Sequence, residues 1–134
     1  MNIVITGDPR TKKNSSRVVT MPKKRKNSLD KYYYKVLPSK AYVDYEKQFI
    51  QQCMLNRSKN KKINTKCNIK CVYYMKTKRK VDLTNLLSGT MDCLVAAGVI
   101  EDDNCKIAYS HDGSYVSYDK ENPRVEIEIT EIKE

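Results

Sequence analysis

Three carboxylates in this chain stand beside cations in a pattern that suits work on phosphodiesters. Asp82 follows the basic run Lys76-Thr77-Lys78-Arg79-Lys80 after a single valine, and Asp102 and Asp103 lie in the turn Glu101-Asp102-Asp103-Asn104. Cations hold a polyanion and carboxylates hold a divalent metal, which is the equipment of a metal-dependent phosphodiesterase. Each aspartate also has a purely structural role open to it. An aspartate at the start of a helix accepts backbone N–H bonds and favours the positive end of the helix dipole, and paired aspartates form turns. Their joint occurrence with the basic run, in a chain that has only four acids up to residue 81, raises the functional reading.

The charge is segregated along the chain. Its 134 residues carry a formal net charge of +10, but residues 1 to 81 contribute +18 and residues 82 to 134 contribute −8. Such separation suits nucleic acid with a bound cation better than a membrane surface, since no basic helix with a broad apolar face is present. No run of about 18 apolar residues predicts a membrane span, and Met1 to Thr6 reads as a strand rather than a leader. Five cysteines, Cys53, Cys67, Cys71, Cys93 and Cys105, are irregularly spaced, and His111 is the only histidine. Cys67 and Cys71 fall about 13 Å apart on one face of a strand, too far to share an ion. The expectation is reduced thiols, no zinc and a cytoplasmic protein.

The elements that must position these groups follow from periodicity. Residues 2 to 6 form a strand stopped by Gly7-Asp8-Pro9, and Lys12, Lys13, Asn14 and Arg17 lie in the loop beyond it. The run Lys23 to Lys26, between Val18-Val19 and Tyr32 to Val36, suggests a basic hairpin or flap over about residues 20–31. Ser39 caps a helix from about Lys40 to Arg57, whose Tyr42, Tyr45, Phe49 and Cys53 recur every three or four residues and face the core. Residues 67 to 75 form a strand with Cys67, Ile69, Cys71, Tyr73 and Met75 on one face. A second helix, 82 to 97, places Leu83, Leu86, Leu87, Thr90, Met91 and Leu94 on one side and Asp82, Asn85, Ser88, Gly89 and Asp92 on the other, with Gly98 closing it. A short strand over 106–110 and a half-exposed final strand with Val125, Ile127 and Ile129 inward complete the chain. The sum is an α+β fold, one domain over residues 1–134, with a mixed sheet and two main helices on one face.

The segment KRKVDLTNLLSGTMDCLVAAGVIEDDN, residues 78 to 104, resembles the signature of the RusA-type Holliday junction resolvases: a D-x-D-N pattern, a helix containing D-x-L and a G-x-x-x-D-D turn. Agreement extends to Gly7-Asp8-Pro9-Arg10 with Lys12-Lys13 and to the closing PRVEIEIT. The resemblance implies a bacterial or phage-encoded endodeoxyribonuclease of recombination and repair that cuts four-way junctions. It implies Asp82, Asn85, Asp102 and Asp103 as catalytic residues, with Asp82, Asp102 and Asp103 holding Mg²⁺. Mn²⁺ accepts the same oxygen ligands. Two positions depart from the pattern: Thr84 stands at its second aspartate, and Ser88 where the founding type has a functional lysine. Asp92 also fits the pattern and is assigned to hydrogen bonding or a subunit contact.

A straight helix over residues 82–97 sets its ends about 22 Å apart. Asp82 and Asp103 of one chain are then remote, and a two-fold dimer with antiparallel helices would bring Asp82 of one chain to Asp102 and Asp103 of the other. Lys12, Lys13, Arg17, Lys78, Arg79 and Lys80 are the expected contacts to branched DNA. The competing readings are a branched-DNA or RNA binding module without catalysis, and a basic RNA-binding domain of the ribosomal kind.

Overall fold

A computed structural model of the chain describes residues 1–12, 17–22, 32–56 and 61–133. The elements are β1 (Asn2–Thr6), β2 (Arg17–Pro22), β3 (Tyr32–Leu37), α1 (Lys40–Asn56), β4 (Cys67–Met75), α2 (Leu83–Ala96), β5 (Ala108–Ser110), β6 (Tyr115–Tyr118) and β7 (Arg124–Glu131). The main sheet runs β1-β7-β4, with β5 and β6 both pairing with β4 in parallel, while β1 and β4 pair with β7 antiparallel. It is the mixed sheet of an α+β fold. Strands β2 and β3 form a separate antiparallel ribbon. Residues 23–31 of the expected flap lie outside the described residues, as does Arg57 at the expected end of α1.

One face of the sheet is apolar by alternation. Ile3 and Ile5 of β1, Val125, Ile127 and Ile129 of β7, and Cys67, Ile69, Cys71, Tyr73 and Met75 of β4 are all buried there. Against them lie Tyr42, Tyr45, Phe49 and Cys53 of α1 and Leu86, Met91 and Leu94 of α2, so both helices cover the same face. At the sheet edge, Gln52 of α1 accepts from the Thr6 N–H at 2.8 Å and donates to the Thr6 carbonyl at 3.1 Å. No helix among the described residues is long and apolar enough to cross a membrane.

Three local features differ from the sequence expectation. Gly89 is buried rather than on the polar side of α2, because the Tyr42 ring and the Arg10 backbone pack over it: a Cβ there would meet Tyr42 Cε2 at 3.4 Å and the Arg10 carbonyl at 3.6 Å, ordinary contact distances. The strand expected from Lys106 begins at Ala108, since Asn104 accepts from the N–H groups of Ile107 and Ala108 and closes a turn first. Strand β6 was not anticipated. It is four residues long and takes its register from β4, not from any pattern of its own.

Candidate active site

Asp82 is the N-cap of α2. Its backbone is extended, and its Oδ1 accepts from the Thr84 N–H at 3.0 Å and from the Thr84 hydroxyl at 2.7 Å. Thr84, standing where the pattern it resembles has a carboxylate, thus donates hydrogen bonds to the neighbouring aspartate and fixes that carboxylate's orientation at the dipole's positive end.

Cations gather beside this helix end because the Gly7-Asp8-Pro9 turn is anchored there. Gly7 adopts a left-handed φ of 115° and donates to the Pro123 carbonyl. Asp8 accepts from the Lys76 N–H at 3.0 Å, which ties the turn to the end of β4. The chain leaving that turn then lines a cleft of about 360 Å³ together with the segment leaving β4: Arg10 and Thr11 come from the first, Arg79, Lys80 and Val81 from the second, and Ser39 from just before α1. Arg79 and Lys80 were expected among the cations. Arg10 joins them though it is not among the expected contacts; its signals in the sequence are its place after a strand-stopping turn and within the Gly7-Asp8-Pro9-Arg10 agreement. Lys78 lies instead over the Tyr118 ring, 5.1 Å from its centre. Lys13 falls outside the described residues, and Arg17 opens β2.

A second cleft, of about 440 Å³, lies along the exposed side of α2. Asn85, Ser88 and Asp92 line it at helical spacing, and Lys12, Pro38 and the ribbon residues Val36 and Leu37 complete the lining. Lys12 Nζ is 3.5 Å from Asp92 Oδ2, so Asp92 holds a cation from the N-terminal loop over the face that carries Asn85 and Ser88.

Beyond the far end of α2 the acidic turn is held from both sides. Ile63 bridges Ile100, with the Glu101 N–H donating to the Ile63 carbonyl, and Asn104 receives the Lys106 N–H at 2.9 Å. Asp102 accepts from the Asp103 N–H at 2.7 Å and from Asn104 Nδ2 at 3.0 Å. These donors hold the Asp102 carboxyl below the usual carboxylate range, whereas desolvation and the neighbouring Asp102 push Asp103 up. The buried thiols of Cys71 and Cys93 are pushed up to about 12 by burial, so neither is a nucleophile.

The fourteen residues of α2 separate Asp82 from this turn by about 21 Å of helix. Among the described residues no group of three or more histidine, cysteine or acidic side chains is close enough to hold a metal ion. The candidate ligands are nevertheless all carboxylate oxygens, the donor type that suits a hard divalent cation.

Carboxylates at both ends of one helix, with cations lining the clefts beside it, describe an α+β protein built to handle phosphodiesters. The sequence model of the family described as Endodeoxyribonuclease RusA matches residues 6–130, and the chain belongs to that family. DNA cleavage at internal phosphodiesters is the reaction that the family name denotes. No curated protein matches the chain.

Proposed function

We propose that the protein is a structure-selective endodeoxyribonuclease that hydrolyses phosphodiesters at four-way DNA junctions with Mg²⁺, and that two chains build each active site. The observation that carries this reading is the placement of Asp82 at one end of α2 and Asp102 and Asp103 beyond the other, with a cleft lined by Arg10, Arg79 and Lys80 beside the first end and a second cleft along the helix. Asp82 of one chain with Asp102 and Asp103 of a second would hold the ion. When bound, Mg²⁺ supplies Lewis-acid activation of water and neutralises charge at the phosphorus.

The chain's own residues do the rest. Arg10, Arg79 and Lys80 receive backbone phosphates, giving affinity that depends on salt and reads shape more than sequence. Thr84 orients the Asp82 carboxylate through its hydroxyl and N–H. Asn85 offers an amide to a phosphate oxygen in the cleft along α2. Lys12 brings an ammonium to that same cleft, held by Asp92 one helical turn beyond Ser88.

The test uses a synthetic four-way junction with Mg²⁺. Wild-type protein is expected to nick it in paired, symmetric positions, while Asp82→Asn and Asp103→Asn bind it with unchanged affinity and nick at background. The second reading, a junction-binding module without catalysis, is favoured by Thr84 at the position of a carboxylate. Binding without nicking by the wild type would establish it. Cleavage retained in both variants would refute the site assignment.

A further inference from the structure

The β2–β3 ribbon exposes an apolar, aromatic face that the main core does not cover. Its register pairs Val18 with Val36, Thr20 with Tyr34 and Pro22 with Tyr32, so these six side chains share one face. Tyr34 is 81 % exposed, Tyr32 61 %, and Val18 and Val36 65 % each. The opposite face, with Val19, Met21 and Leu37, is partly covered. A two-stranded ribbon is marginal in water by itself, and an aromatic face this open calls for an occupant.

Charge selects the occupant. Residues 17 to 37 contain seven Lys/Arg and one Asp. A second copy of the ribbon, docked face to face, would bring two strongly cationic segments together, whereas a polyanion is attracted to each. Place decides the rest. Val36 and Leu37 line the cleft that holds Asn85, Ser88 and Asp92, so the ribbon springs from the rim of the candidate site. Tyr34 and Tyr32 follow at about 7 and 14 Å along the strand, a span of roughly two to four nucleotide steps.

We propose that Tyr32 and Tyr34 form a stacking platform for nucleobases unpaired at the branch point of the DNA, resting on the reading of the site as a junction nuclease. Bases within a duplex are already stacked on one another and offer no free face, while bases splayed at a branch do. The platform therefore favours branched over linear DNA without reading sequence. It works beside the cationic clefts, which attract both forms.

The experiment measures binding of the full chain to a fluorescein-labelled four-way junction and to a linear duplex of the same length, in EDTA so that no cleavage is involved. Tyr32→Ala with Tyr34→Ala is expected to weaken junction binding on the order of tenfold per ring lost and to leave duplex binding unchanged. Tyr32→Phe with Tyr34→Phe should retain the preference, because stacking needs the ring and not the hydroxyl. An unchanged junction-to-duplex ratio in the alanine variant, an equal loss on both DNAs, or a phenylalanine variant as weak as alanine would overturn the platform. So would dissociation of the alanine variant into monomers in sedimentation, which would make the face a subunit contact. A wild type with no preference for the junction refutes the nuclease reading and the platform together, whereas a preference indifferent to both tyrosines refutes the platform alone.

Discussion

Asp82 meets two demands with one carboxylate. It caps α2 through the Thr84 N–H and hydroxyl, and it is the ligand proposed for the metal. The two roles separate by substitution, because asparagine caps a helix as well as aspartate does and alanine does not. Asp82→Asn is expected to unfold within a few tenths of a kcal/mol of wild type, and Asp82→Ala to lose about 1 kcal/mol, in urea titrations followed by circular dichroism. Both should nick at background. The capping role is legible from an aspartate opening an amphipathic run. Where the Thr84 hydroxyl goes is not, since a threonine rotor can turn to its own helix, to solvent or to a neighbour. Lys12 and Asp92, 80 residues apart, form a pair that no local pattern contains.

At the scale of elements, α2 is the part on which the site depends. Its N-terminus carries Asp82, its exposed side forms one wall of a cleft, and its buried side meets α1 at a close approach over Gly89. Tyr42 of α1 donates its hydroxyl to the Gly89 carbonyl at 3.4 Å across that contact. Gly89→Val is predicted to push branched methyls into the Tyr42 ring and the Arg10 carbonyl, lowering stability by about 1–3 kcal/mol in thermal unfolding. It should also disturb the Arg10 wall of the cationic cleft, seen as weaker DNA binding. Helical periodicity makes Leu86, Met91 and Leu94 legible as core. It sets Gly89 among polar neighbours because glycine has no hydropathy to declare a side, and only the tyrosine packed against it decides.

For the whole molecule, Arg10, Arg79 and Lys80 line a cleft beside the start of α2 and Glu101, Asp102 and Asp103 lie beyond its end. If two chains complete each site, a mixture of inactive variants tests it directly. A heterodimer of Asp82→Asn with Asp103→Asn then contains one site with both substitutions and one with neither. Equal mixing is expected to restore about a quarter of wild-type nicking by statistical pairing, measured on a four-way junction after co-refolding. Sites formed within single chains would stay inactive in every combination. By itself the sequence determined the class of fold, both helices, the central strands and the candidate carboxylates, because these rest on local periodicity, capping chemistry and charge order. The burial of Tyr42 and Tyr45 was already legible in their helical spacing. Tertiary structure alone decided that Arg10 shares a cleft with Arg79 and Lys80, that Lys12 reaches α2, and that Tyr32 and Tyr34 stand in the open. Those outcomes depend on which distant segments meet, and burial is a property of the assembled surfaces rather than of any residue's type.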